Sequence, residues 1–290
     1  IIRRHRPDAV ICIGEPRDAL FYSTLAPVLA FRCIPRICWC NSRPAGQSGN
    51  FVPRFQRYRR MGLLTAVICV SRVQRRMMLE GGLTRRHLPL IRDGLDAARF
   101  TGARPVDLGV APGVKIIVQI ANVVPDKDHA TLLAAGRLLM RRRDDFRIVL
   151  VGRGTDSPEM AARITEAGLS ETVICAGQRD DIPGVLAAAD VFVLSTHGEV
   201  SSVATIEAFA AGVPAVVSDI PAFDEMLTDG QEGLRVAPDD PAALAGAIDT
   251  LLDDRSLAAK LVDNATTHFK QYELSTMVRR FDRLLRAISR

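Results

Sequence analysis

Residues 195–218 read STHGEVSSVATIEAFAAGVPAVVS, and this stretch decides the fold. It opens with a loop carrying His197, Gly198 and Glu199. Small and β-branched residues follow from Ser201 to Thr205. Residues 206–211 (IEAFAA) read as a helix stopped by Gly212, and Pro214 leads into Ala215, Val216 and Val217, a buried strand. Residues 191–194 (VFVL) are the strand before it. Strand, loop, helix, glycine stop and strand make the βαβ unit of a doubly wound parallel sheet.

The chemistry of such a unit lies at the turn from strand to helix. A helix N-terminus has free N–H groups and a partial positive charge, so it attracts phosphate. The expected helix start at 203–206 follows small residues, and Ser202, Val203, Ala204 and Thr205 are the expected diphosphate contacts. Glu207 falls in the first or second helical turn, where a carboxylate can accept from two vicinal ribose hydroxyls. Glu199 lies eight positions earlier on the loop, facing whatever the diphosphate carries. Two acids at this spacing are common, and taken alone they also read as surface carboxylates beside a helix start.

Glu-x7-Glu followed by Ala-x-Ala-x-Gly-x-Pro, here Glu199 to Pro214, resembles the donor-site signature of retaining, nucleotide-sugar-dependent glycosyltransferases of family 4. The resemblance is specific over 115–240 and looser before residue 88. It implies the GT-B architecture: an α/β fold of two Rossmann-like doubly wound domains, the N-terminal one incomplete. It also implies transfer of a sugar from a nucleoside diphosphate sugar to an acceptor hydroxyl with retention, in carbohydrate or cell-envelope biosynthesis. No cofactor and no metal are expected, because that family neutralises the diphosphate with cations and a helix end. In the family the loop after the donor domain's first strand often reads Gly-Arg-x4-Lys-Gly. Here Asn122 stands at the Arg position and Lys127 keeps the spacing, so Lys127 is the expected diphosphate ligand and leaving-group stabiliser; Glu199, on the sugar hydroxyls, is the other expected catalytic residue. Gly152 and Gly154 resemble the family's Gly-x-Gly turn. Gly177, Arg179 and Asp180 resemble the segment that holds the base, and residues 219–225 a segment near the donor cleft. The acceptor-side histidine of the family has no counterpart; Asn41 is the nearest polar residue. His197 is read as structural.

The rest of the chain alternates strands and helices. Strands are expected near 8–13, 36–40, 66–71, 88–91, 115–120, 146–151, 172–176 and 232–236. Helices are expected near 19–31, 51–64, 72–80, 130–141, 159–167, 185–189, 223–227, 242–252, 256–268 and 273–288. The expected domains are 1–100 on the acceptor side, a Gly/Pro-rich linker at 101–113, a donor-binding domain at 114–270, and a helix at 271–290 returning to the first domain. The start, IIRRHRPDAV, reads as the middle of a domain, so an N-terminal truncation is expected.

Composition excludes disorder: 48% of the 290 residues are hydrophobic and 24% charged. The six cysteines lie mostly in apolar stretches and read as free thiols of a reducing compartment. The net charge of +5 hides an asymmetry. Residues 1–100 hold 18 Arg, no Lys and 6 acidic residues, a net +12; the rest hold 20 basic and 27 acidic residues, a net −7. The basic part fits either an anionic lipid or membrane-bound acceptor, or a solvated Arg-rich face. Few aromatics accompany it, which argues against nucleic acid. The expected location is the cytoplasm, with peripheral attachment at the inner face of the membrane. Two other functions stay open: a nucleotide-sugar-binding fragment without turnover, and a nucleotide-sugar epimerase on the same scaffold.

Overall fold

The computed structural model describes residues 9–13, 36–40, 52–61 and 65–288. The chain divides into two compact units, Ile1–Gly94 with Leu274–Arg290, and Leu95–Glu273.

In the first unit, β1 (Val10–Ile13), β2 (Arg36–Cys40) and β3 (Ala66–Cys69) form a parallel sheet in that order. Alternating side chains supply two faces. Cys38, Val67 and Cys69 pack with Phe55 of α1 (Val52–Arg60) and Met78 of α2 (Arg72–Glu80). Ile37 and Ile68 pack with Ile91 on the other face. Ser71 starts α2 by accepting the Gln74 N–H through its hydroxyl (3.1 Å). The strand expected over 88–91 is reduced to a bridge between Cys69 and Leu90; Pro89 has no N–H to extend the ladder. The helix expected over 19–31 lies outside the described residues.

The second unit is one six-stranded parallel sheet made of β4 (Lys115–Ile120), β5 (Phe146–Val151), β6 (Val173–Gly177), β7 (Val191–Leu194), β8 (Ala215–Ser218) and β9 (Leu234–Val236). Their order is β6-β5-β4-β7-β8-β9. Strands buried on both faces carry apolar residues at nearly every position, as these do. Ile117, Ile148, Val193 and Val216 meet α3 (His129–Leu139), α4 (Pro158–Glu166) and α7 (Pro241–Asp253). Val118, Val149, Phe192 and Val217 meet α5 (Ile182–Ala187), α6 (Val203–Ala211) and the end of α8 (Arg255–Phe269). Each fully buried Ile or Phe contributes roughly 2–3 kcal/mol.

Helix α6 begins at Val203, within the expected 203–206 start and three residues before the 206–211 run that carries the helical pattern. The Ser202 hydroxyl caps it, accepting both the Thr205 N–H (3.2 Å) and the Thr205 hydroxyl (2.9 Å). That local bond outweighs the weak helix propensity of Val203 and Thr205. Gly212 ends the helix at φ 70°, where a Cβ is disfavoured.

The break between units falls after Gly94, not at residue 100. Residues 101–113, read as a linker, belong to the second unit. Leu108 is buried in its core, Val106 packs against it, and the Val106 N–H donates to the Gly184 carbonyl (3.2 Å). The helix expected over 223–227 is a single 3-10 turn, Pro221–Phe223. Arg235 of β9 holds the segment by pairing with Asp219 (2.5 Å) and Asp224 (2.8 Å). The chain ends with α9 (Leu274–Ile288), which lays Met277, Phe281, Leu284 and Ile288 on Ile37, Ile68 and Ile91 of the first unit. Trp39 and Phe281 pack in a tilted pair with ring centroids 5.0 Å apart. Among the described residues, no helix is long and apolar enough to cross a membrane.

Candidate functional site

Strands β4 and β7 are neighbours, yet the chain leaves β4 toward β5 on one side and β7 toward β8 on the other. Loops that diverge in this way open a crevice at the C-terminal ends of the strands, the usual ligand position in an open α/β sheet. Residues 121–128 and 195–202 are those two loops.

Backbone bonds join them. The Asp128 N–H donates to the Ser195 carbonyl (3.1 Å), and the His197 N–H to the Asp126 carbonyl (2.9 Å). The Thr196 hydroxyl also donates to Asp126 O (2.7 Å), and the Ser195 hydroxyl to Asp128 O (2.5 Å). Lys127 is held between these anchors, and its ammonium donates to the Glu199 carboxylate. The two expected catalytic residues therefore meet, across 72 positions of sequence.

Next to them is the start of α6. The N–H groups of Val203 and Ala204, the first two helical residues, have no acceptor within the helix. They are the amides an anion can reach. Thr205 is not: its N–H and hydroxyl are both engaged by Ser202, and both side chains are buried. Ser202 and Thr205 build the helix end rather than present themselves to a ligand.

Glu207 stands one turn into α6. Burial, opposed in part by the positive charge of Arg99, raises its carboxyl to about 7. A half-buried carboxylate at this place can accept from a pair of hydroxyls.

The remaining sequence candidates divide. Asn122 accepts the Arg153 N–H (2.9 Å), so it braces the turn after β5. Gly177 is left-handed at φ 63°, and its carbonyl accepts the Gly152 N–H (2.8 Å). Arg179 forms a two-pronged pair with Asp181 (2.8 and 2.5 Å), which engages its guanidinium locally; Asp180 is exposed. Asn41 lies outside the described residues. The turn at Gly152 has φ 139°, and a Cβ there would lie 2.3 Å from the Ala121 carbonyl oxygen. Gly152→Ala is expected to lower unfolding stability by about 3 kcal/mol through strain and overpacking; a denaturant midpoint equal to wild type would contradict this packing.

Gln119, His129 and one three-residue cluster lie outside the sequence-based site assignment. Gln119 sits fully buried in β4 and accepts the Ser195 N–H (3.3 Å) and hydroxyl (3.2 Å); a Gln inside KIIVQI was the available signal. The buried His129 ring nitrogen Nδ1 lies 2.9 Å from the Lys127 carbonyl, and burial lowers its pKa, so the neutral ring donates there. Asp128, His197 and Asp239 each bring one ligand atom to within 4.8 Å of the others, a grouping of the type that can hold a metal ion and one that the sequence reading did not expect. Asp128 also caps α3, accepting the Thr131 N–H (3.0 Å).

Residues 104–268 match the family profile of glycosyl transferases group 1. The chain belongs to that family. Among curated relatives, this glycosyl transferases group 1 member is 30% identical over 204 residues to the lipopolysaccharide core biosynthesis mannosyltransferase LpsB of Rhizobium meliloti, covering 66% of this chain and 58% of that protein. It is 32% identical over 227 residues to phosphatidyl-myo-inositol mannosyltransferase of Mycolicibacterium smegmatis, covering 77% and 57%. The chain thus spans less than two thirds of these relatives' length. Among solved structures, Anabaena HepE in complex with UDP and glucose superposes with a TM-score of 0.85 at 21% identity, over 98% of this chain and 79% of that one. That likeness shows the fold: two Rossmann-like domains of the GT-B type.

Proposed function

We propose that this protein moves a sugar from a nucleoside diphosphate sugar to an acceptor hydroxyl with retention of configuration, as a family 4 enzyme. The carrying observation is the meeting of Lys127 and Glu199 at the β4/β7 crevice, beside the open amides of Val203 and Ala204. In this reading the amides and Lys127 take the diphosphate, Glu207 the ribose, and Glu199 the sugar hydroxyls. Lys127 then meets the charge that grows on the leaving phosphate. Retention follows from attack on the face the leaving group departs from, assisted by that phosphate. The ammonium and the helix end take the part a metal ion would otherwise play. The mannosyltransferase relatives and the UDP complex of the structural neighbour favour a hexose donor.

For the acceptor we propose an anionic lipid at the inner membrane face. The Arg-rich first 100 residues, at net +12, support it, and so does a relative whose name specifies phosphatidyl-myo-inositol. The test incubates the chain with UDP-glucose, GDP-mannose or ADP-glucose and with vesicles of neutral or anionic lipid. The expected result is nucleoside diphosphate release and sugar transfer that require one donor and anionic vesicles. Release without acceptor would indicate hydrolysis or epimerisation instead. Saturable donor binding without transfer would indicate a binding module. Vesicle binding indifferent to lipid charge would overturn the lipid acceptor.

A further inference from the structure

We propose that the Lys127–Glu199 ion pair makes the site discriminate between an intact sugar donor and a bare nucleoside diphosphate, disfavouring the bare form. This rests on the donor-site reading above and extends it to specificity and product release.

The pair is well shielded, with side-chain exposures of 21% for Lys127 and 10% for Glu199. Among the described residues, Lys127 is the one hydrogen-bonding partner of the Glu199 carboxylate. A shielded carboxylate that loses its counter-charge is destabilised far more than an exposed one. Any diphosphate that draws the Lys127 ammonium away from Glu199 imposes that loss. An intact donor compensates for it, because the sugar hydroxyls donate to the released carboxylate. A bare diphosphate has no such donors. It brings only phosphate oxygens, which repel Glu199. Glu199 therefore competes with the bare diphosphate for Lys127, whereas it cooperates with the sugar-bearing form. After transfer the pair re-forms and helps expel the product. Glu199 is thus a specificity-determining residue, in addition to any contact with the reacting sugar.

The prediction carries an unusual sign: removing a charge from the binding site should improve binding of one ligand. Isothermal titration of the full chain with UDP, GDP and ADP, and with UDP-glucose, GDP-mannose and ADP-glucose, reads it directly. Glu199→Gln keeps size and removes the charge. For the base that binds, it is expected to tighten the bare diphosphate by on the order of tenfold and to weaken the nucleotide sugar. In a Lys127→Met background, Glu199→Gln is expected to tighten bare-diphosphate binding much less, because the competition for that ammonium is gone and only direct repulsion remains. The double variant replaces the pair by neutral groups, so it keeps the test valid should the single variant melt early in a thermal scan. Unchanged or weaker diphosphate binding in Glu199→Gln would overturn the proposal while leaving the donor site intact. Equal tightening in the Lys127→Met background would also overturn it, leaving general charge repulsion as the cause. Wild-type chain that binds none of the six ligands would overturn the donor-site reading itself, and this proposal with it.

Discussion

Lys127→Ala is expected to lower kcat/KM for the nucleotide-sugar donor by about 10²–10³-fold, the usual effect of deleting one preorganised electrostatic contact to a developing negative charge. The size follows from how this loop is built. The position where a second cation is expected holds Asn122, whose side-chain oxygen is occupied by the Arg153 N–H. No charge on that loop substitutes for the ammonium. Its aim is also fixed in advance, since Asp126 and Asp128 on either side are bonded to residues 195–197. The loss should appear in kcat as well as KM, because the leaving phosphate gains charge as the sugar departs. The variant also leaves the Glu199 carboxylate without its partner, so its thermal midpoint should fall. Steady-state kinetics that change less than fivefold would place the diphosphate elsewhere.

With Glu207 on the ribose, as proposed, donor affinity is expected to depend on pH. Its carboxyl is pushed to about 7 by burial, and only the ionised form accepts from both ribose hydroxyls. Nucleotide-sugar affinity should therefore rise about tenfold from pH 6 to pH 8, following the ionised fraction. A nucleotide sugar has no phosphate ionisation in this range, which makes it the right probe. Glu207→Gln should bind weakly and without this slope. Stability moves in the opposite direction. The native pKa of about 7 lies above the ordinary 4.5, so the native state binds the extra proton between these values. The contribution is complete below pH 4.5 and is lost as pH rises through 7, amounting to about 2–3 kcal/mol after solvent screening. Chemical denaturation of wild type and Glu207→Gln at pH 5 and pH 8 measures it. The variant should gain on wild type at the higher pH, and parallel curves would refute the burial argument.

The strands and helix ends were legible because they depend on neighbours in sequence. The parallel sheet showed as apolar runs such as 191–194 and 215–217, and Gly212 marked the end of α6. The exact start of α6 within 203–206 is not legible because Val203 and Thr205 look like strand residues until the Ser202 cap is seen. The Lys127–Glu199 pair could not be read from spacing, since it depends on β4 and β7 becoming neighbours. Arg179 resembles part of the base segment, and its pairing with Asp181 two residues away is a local contact that the motif alone does not reveal. Gln119 and His129 carry little signal in the sequence, because a polar residue inside an apolar run or at a helix start is usually structural. Here Gln119 holds Ser195 at the start of the loop that carries Glu199, and His129 holds the Lys127 carbonyl.

The most direct measurement is a crystal structure of the chain with whichever of UDP, GDP or ADP binds it. The account predicts the diphosphate on the Val203 and Ala204 amides with Lys127 Nζ within hydrogen-bonding distance, and the ribose hydroxyls on Glu207. A nucleotide bound away from the β4/β7 crevice, or bound there with its phosphates turned from Lys127, would contradict it.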